Sequence, residues 1–312
     1  MKTLTAATLI RPQVTPTAAA AAAVQNPLSN RHVAFTTPPF YGERLASLLH
    51  HRGAVPVPIP TVIVEPIPRT IAALRPFICS EELGRFSSLL FTSRTGISAI
   101  ALALDDAPPP LSDSGEPFII AALGRDAEHL HELGLIHKLC RSRHRIQVID
   151  PKVASPSGLV EALGEGFGRR ALCPVPDVVG LEEPPVVPDF LKALEASGWV
   201  PTRVPAYETR WAGPKCAEEL VGEAELETLD AIVFTSTTEV EGLMKSLEAM
   251  GWGWSAVIEK RPRMLVATHG PVTANGAQRF GVAVDVVSSS FSSFNGVLDA
   301  LAVRWADSCE QQ

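Results

Sequence analysis

Hydrophobic positions along this chain fall into short solid runs that alternate with amphipathic stretches. Val33 to Thr36, Leu89 to Thr92, Pro117 to Leu123, Ile146 to Ile149 and Ala171 to Pro174 read as strands. So do Ala231 to Thr235, Met264 to Thr268 and Val282 to Val287. Each is too short for a helix and is apolar on both faces, the pattern of a buried parallel strand. Between them, apolar residues recur at helical spacing over Glu43–His51, Gly96–Leu104, Asp126–Leu133, Gly158–Leu163 and Pro188–Ser197. The same spacing returns over Glu239–Met250, Thr273–Phe280 and Ser293–Arg304. Strand and helix in alternation, with short connections, predict parallel sheets covered by helices on both faces.

Two stretches break the alternation. Ala54 to Pro68 carries Pro56, Pro58 and Pro60 among β-branched residues, and Val200 to Thr209 carries Pro201 and Pro205. Proline donates nothing to a sheet ladder, so these segments read as extended edges or linkers.

The chain also repeats itself. Phe91-Thr-Ser-Arg-Thr-Gly-Ile stands beside Phe234-Thr-Ser-Thr-Thr-Glu-Val. Ala122-Leu-Gly124, followed by a helix and Gly134, stands beside Thr268-His-Gly270, a helix and Gly281. Ile149 through Leu163 aligns without a gap to Val287 through Leu301, with Gly158 over Gly296. Three blocks in one order indicate two copies of an α/β unit. With the proline-rich segments as crossings, the expected fold is α/β with two similar parallel-sheet, flavodoxin-like domains. A first domain of 32–60 plus 208–304 receives a second, 66–200, as an insertion. Segments 55–68 and 200–209 form a two-stranded hinge. Ligands of open parallel sheets bind outside the carboxyl ends of the strands, so the strand-end motifs should face a cleft between the domains.

Those motifs carry modest chemistry. Ser93 and Ser236 stand between a strand end and a helix, where a hydroxyl caps the first turn. Two copies also fit a carboxylate-binding rim on each wall of the cleft. Gly270-Pro-Val-Thr273 opens a helix: Gly270 admits a ligand close to the backbone, and Thr273 is placed to cap or to meet an anion. Gly124-Arg125 is its counterpart, with Arg125 either a carboxylate partner or a solvated charge. Tyr207, one of two tyrosines, reads either as a packing residue or as a phenol able to donate a hydrogen bond into the cleft.

Other signals are weaker. Gly164-Glu-Gly-Phe-Gly168 follows a helix, unlike a dinucleotide loop. His129 and His131 lie two apart on a helix and face different ways, so no metal site is expected. Five scattered cysteines without a C-x-x-C pair suggest a reducing compartment. A net charge of −7 argues against nucleic acid as a partner, and no apolar run reaches membrane-spanning length. No Asp or Glu precedes Glu43, and residues 18–23 are all alanine. Residues 1–30 thus read as a transit peptide, for the plastid stroma rather than the mitochondrion, or as a disordered cytoplasmic N-terminus.

The order and spacing of these pieces over about 32–304 resembles the uroporphyrinogen-III synthase family. The matching pieces are a short first strand, a helix ending at Gly53 and a proline-bearing strand, then Phe-Thr-Ser at 91–93 and the 124–134 turn and helix. Tyr207-Glu-Thr209, a second Phe-Thr-Ser at 234–236 and the Gly-Pro-x-Thr turn at 270–273 complete the set. The resemblance implies a lyase without cofactor or metal, acting on hydroxymethylbilane, a linear tetrapyrrole, and inverting its ring D on closure. It implies that Tyr207 assists departure of the hydroxyl. Ser93, Arg94, Gly124, Arg125, Thr235, Ser236, Thr237, Gly270 and Thr273 would line the substrate site. A monomer is expected, with hydroxymethylbilane synthase as a candidate partner. The first strand departs from the family, reading Phe35-Thr-Thr-Pro38 where Thr-Arg is common, and Val272 replaces one threonine of the turn. A non-catalytic tetrapyrrole-binding paralogue and an unrelated two-domain small-molecule binder are the alternative readings.

Overall fold

The computed structural model describes residues 26–310 apart from 79, 106, 124–125, 223–228 and 291–292. The transit-peptide reading and the predicted site residues Gly124 and Arg125 therefore lie outside the described residues. Eleven strands are described: β1 His32–Phe35, β2 Val55–Pro58, β3 Val62–Glu65, β4 Ser88–Phe91, β5 Phe118–Ala122, β6 Ile146–Ile149, β7 Arg170–Val179, β8 Val200–Trp211, β9 Leu229–Phe234, β10 Leu265–Thr268 and β11 Val286–Val287. They form a mixed α/β fold on two sheets, ordered β11-β10-β9-β1-β2 and β3-β8-β7-β4-β5-β6.

The first sheet is parallel throughout. Counted in chain order its strands run 2-1-3-4-5, the doubly wound order of flavodoxin-like sheets. In the second sheet β8-β7-β4-β5-β6 has the same layout circularly permuted, 5-4-1-2-3 in chain order, with β4, β5 and β6 standing where β9, β10 and β11 stand in the first. These are the strands that carry the three repeated sequence blocks. The last block also explains its glycines. A Cβ on Gly158 would run into the carbonyl oxygen of Val153, and one on Gly296 into that of Ser290. One helix-entry turn, used twice, demands glycine at both places.

Each sheet is buried on both faces, as solid apolar strands require. Leu89, Phe91, Phe118 and Ile120 pack into one core of the second sheet, and their alternates Leu90, Ile119 and Ala121 into the other. In the first sheet Ile232 and Phe234 point to one side, Ala231 and Val233 to the other. This is the period of two that a pleated strand imposes.

The proline-rich segments are sheet members rather than free straps. β2 is the edge of the first sheet, and the chain then passes through Ile59–Thr61 into β3, the edge of the second. β3 pairs antiparallel with β8, because the chain crosses between the sheets in opposite directions at the two places. Pro201 and Pro205 sit in β8 before it meets β3 at Glu208, where β8 has β7 as its one neighbour and a missing N–H costs nothing. Helices at Pro68–Ile78, Leu135–Leu139 and Trp254–Lys260 were not expected. The strand expected over 282–287 shrinks to Val286–Val287.

Candidate functional site

The carboxyl ends of both sheets open on one cavity of about 690 Å³. A recess of about 290 Å³ shares Tyr41, Tyr207, Thr235, Ser236 and His269 with it. From the second sheet come Ser93, Asp126, Pro176, Val178 and Tyr207. From the first come Thr235, Ser236, Thr237 and the turn His269–Thr273, with Tyr41 from helix Pro39–His51.

Tyr207 reaches this wall through an irregularity in β8. Val175 pairs with Pro205 and Pro176 with Tyr207, which leaves Ala206 as an extra residue. Strict alternation would send Tyr207 to the face opposite Val204 and Ala206. The bulge puts all three against one core. The ring is buried, 5% exposed. Its oxygen accepts a hydrogen bond of 2.8 Å from Ser93 Oγ. Burial pushes the phenol above its ordinary value; the Ser93 bond opposes this, and Tyr41 and the Asp126 carboxylate add to it. Tyr207 therefore stays protonated at neutral pH and offers a hydrogen-bond donor. The ring of Tyr207 packs in the core, and its hydroxyl lies at the cavity wall.

Ser93 is extended (φ −158°) and caps helix Arg94–Ala103, accepting the Gly96 N–H at 3.2 Å while donating to Tyr207. A residue suited to capping thus also holds the phenol. Arg94, expected to meet substrate, instead has its Nε 3.0 Å from Asp126 Oδ1. Asp126 lines the cavity; burial raises its pKa and the Arg94 pair pulls it back.

On the facing wall Ser236 caps helix Thr237–Ala249, accepting from the Glu239 N–H at 3.4 Å. Glu239 is 2% exposed and was not singled out in the sequence. It accepts from the Thr235 N–H (2.9 Å), Thr235 Oγ1 (2.6 Å) and Thr36 Oγ1 (2.8 Å), tying the end of β9 to the end of β1. Burial raises its pKa against the pull of these bonds. Thr235 thus lines the cavity with both its donors engaged by Glu239. Ser236 followed three residues later by Glu239 has the capping-box spacing, the signal that marks such a carboxylate.

Thr273 does not cap its helix. Its hydroxyl donates to the Thr235 carbonyl at 3.3 Å. The N-cap of helix Pro271–Arg279 is Gly270, and among the described residues no side chain caps it. Thr237 lines the cavity and packs on Gly276 of that helix, where a Cβ would strike it. Of the sequence-predicted residues, Ser93, Tyr207, Thr235, Ser236, Thr237, Gly270 and Thr273 therefore converge, and Arg94 stands behind Asp126. Tyr41, Asp126, Glu239 and His269 were missed. Outside the cavity, His129 bonds Ser98 Oγ through Nε2 (3.0 Å) and Glu132 through Nδ1 (2.8 Å), joining two helices. Among the described residues no cluster of three metal-ligating side chains occurs.

The electrostatics come from backbone. Among the described lining residues there is no Lys or Arg, while Asp126 and Glu183 are present. Besides the short helix Asp126–Glu132, whose first residue is itself an acid, five longer helices begin at the cavity: Arg94–Ala103, Pro156–Leu163, Val186–Ala196, Thr237–Ala249 and Pro271–Arg279. Each N-terminus carries a partial positive charge and N–H groups suited to an anion.

A family model described as uroporphyrinogen-III synthase HemD matches residues 43–295. Among solved structures, a substituted uroporphyrinogen III synthase from the bacterium Thermus thermophilus aligns at 17% identity and a TM-score of 0.46, covering 90% of this chain and all of its own. The wild-type protein from that bacterium aligns at 18% identity and a TM-score of 0.39, over 89% of this chain and 98% of its own. A solute-binding protein of an ABC transporter from Burkholderia multivorans aligns at 10% identity and 0.27, over 91% and 95%. No curated protein matches the chain by sequence. No described helix is long and apolar enough to cross a membrane.

Proposed function

This chain belongs to the uroporphyrinogen-III synthase family, and we propose that it closes hydroxymethylbilane into uroporphyrinogen III with ring D inverted. In this reading the halves act as domains, 32–60 plus 208–304 and 66–200, hinged at 55–68 and 200–209. Residues 1–30 supply a plastid address.

The observation that carries the reading is the convergence of five helix N-termini on a cavity whose wall presents the Tyr207 hydroxyl. The substrate carries eight carboxylates along a flexible chain. Helix ends and hydroxyls bind such groups without the desolvation cost of buried lysines. Helix Pro271–Arg279, which starts at side-chain-free Gly270, offers its first-turn N–H groups most directly.

The chemistry assigns each group a place. The C–O bond of the hydroxymethyl group breaks as the pyrrole nitrogen pushes electrons toward it, and Tyr207 donates a hydrogen bond to the departing oxygen. Ser93 fixes the phenol, so the donor is oriented before the reaction begins. The resulting azafulvene cation is attacked by the substituted carbon of ring D, forming a C–C bond and a spiro centre. The older bond from ring D to its bridging carbon then breaks, and the freed bridge recloses on the other side of ring D. Ring D loses one proton on closure, which balances the hydroxide lost as water. The walls contribute chiefly proximity, holding ring D over the cation.

The test is a coupled assay from porphobilinogen with purified hydroxymethylbilane synthase, the isomers being separated after oxidation. Type III product above the uncatalysed background is expected. Type I product alone would remove the cyclase reading.

A further inference from the structure

Tyr41 is the second phenol in the cavity wall, and the reaction proposed above gives it no task. It lies in the first turn of helix Pro39–His51, which packs on the first sheet. Its hydroxyl is 2.9 Å from Thr95 Oγ1, on helix Arg94–Ala103 of the second sheet. Thr95 is 6% exposed and stands two residues beyond Ser93. One helix end therefore receives both phenols. Tyr207 reaches it through Ser93 from within the same half; Tyr41 reaches it through Thr95 from across the boundary. Phe40 crosses alongside, edge-on to Tyr41 at 5.4 Å and tilted over His129 at 6.3 Å.

The opposite rim has its own ties. Lys245 Nζ donates to the Gly180 carbonyl at 2.5 Å, Glu241 Oε2 accepts the Glu182 N–H at 2.8 Å, and Arg279 pairs with Glu182 at 2.7 Å. These bonds hold the loop after β7 to the helices of the first sheet. On the Tyr207 side, beside the crossing strands β3 and β8 with their bonds from Thr61 to Glu239 and from Trp211 to Ser246, the Tyr41–Thr95 bond and the Phe40 contact tie the helix Pro39–His51 directly to the second sheet's helices.

We propose that Tyr41 is a positioning residue that holds the two walls together beside Tyr207, and thereby decides whether the azafulvene intermediate closes with inversion or escapes. This rests on the cyclase reading. The cation, once released, closes directly to the type I macrocycle without help. Closure through the spiro centre needs ring D pressed over the cation by both walls. Tyr207 acts on C–O cleavage; Tyr41 acts on the partition that follows, since its bond exists only while the two halves are in contact.

The experiment compares wild type, Tyr41→Phe, Thr95→Ala and the double variant in the isomer assay. Loss of one net hydrogen bond shifts the closed-to-open ratio about fivefold, so the ratio of type I to type III product should rise about fivefold in each single variant. The double variant should match the singles, because the same bond is lost. Tyr207→Phe should slow substrate consumption, and the type I product it allows, coming from uncatalysed closure of free substrate, should fall away as enzyme concentration is raised, whereas the raised ratio of Tyr41→Phe should persist at saturating enzyme. The free Tyr41→Phe protein should keep its folded circular dichroism and show a larger radius of gyration by small-angle scattering. A wild-type isomer ratio in Tyr41→Phe, additive effects in the double variant, or equal radii would overturn the inference while a type III-forming wild type left the cyclase reading standing. Wild type that gives only type I product would instead overturn the cyclase reading and the partition with it.

Discussion

Replacing Tyr207 by phenylalanine removes one oxygen from the cavity wall and leaves the ring against Leu89, Phe91 and Val204 in the same core. The stability cost follows from the bonds involved. The oxygen accepts a single hydrogen bond, from Ser93, whose own oxygen still accepts the Gly96 N–H in the variant. One net hydrogen bond is worth about 0.5–1.5 kcal/mol, and for a chain of this size that lowers the melting temperature by roughly 1–3 °C. The catalytic cost is larger. A positioned proton or hydrogen-bond donor contributes roughly 10²–10⁴ in rate. Burial holds the phenol above its ordinary pKa, which makes it a weak acid, so the lower end, about 100-fold in consumption of hydroxymethylbilane, is expected. The same shift fixes the pH dependence. A phenol raised above its ordinary value near 10 stays protonated to at least about pH 9, so no alkaline loss of rate below that pH belongs to Tyr207. Type III formation by Tyr207→Phe within twofold of wild type would refute the donor role. A loss of stability far beyond one hydrogen bond would show that the hydroxyl serves the fold instead.

Gly158→Ala and Gly296→Ala each drive a methyl group into a backbone carbonyl at the repeated helix-entry turn. Each should lose about 1–3 kcal/mol in urea unfolding; unchanged midpoints would mean that the turn relaxes freely. Glu239 has its pKa raised in the fold, mainly by burial. Its contribution is therefore fully present below the unfolded value and is lost as pH rises through the folded one. Measured against Glu239→Gln, wild type should lose stability as pH rises from about 4 toward neutrality. A difference that is flat with pH, or of opposite sign, would show that the three donated hydrogen bonds outweigh burial.

Repetition made much of the sequence legible. A strand buried on both faces leaves a solid apolar run, and its C-terminal end leaves a short hydroxyl beside a helix, so β4, β9, Ser93 and Ser236 could be read directly. Gly158 and Gly296 were visible because one steric demand was written twice. Features without a second copy or a local period were harder. The antiparallel pairing of β3 depends on the direction in which the chain crosses between sheets, which no window of residues records. Helix Pro68–Ile78 contains Pro76 and follows a proline-rich edge, so local rules spoke for extension there. The placement of Tyr207 could be guessed from its segment, but the extra residue at Ala206 that turns its ring into the core is a matter of register with β7. Arg94 was expected to line the substrate site; its ion pair with Asp126, 32 residues away, is a contact no local pattern records.

The cavity's character follows from using one sheet layout twice. A doubly wound sheet gathers helix N-termini at the carboxyl ends of its strands. One such sheet offers an open rim; two facing sheets turn that rim into a cleft at which five longer helices begin. On the cyclase reading, that arrangement is what meets an anion of many charges, while the described lining stays free of lysine and arginine. The two copies then diverge where the chemistry is asymmetric. The second-sheet wall supplies Tyr207 through a bulge between β7 and β8 that the corresponding β1–β2 pair of the first sheet lacks. The first-sheet wall supplies Gly270, bare of side chain, and the Thr235–Glu239 network that stiffens the end of β9. On the cyclase reading, binding is spread over both repeats, while Tyr207, the donor proposed for bond cleavage, belongs to a single wall. Tyr41 matters for that reason: a donor fixed to one half can act on a substrate held by the other only as long as the halves stay in register.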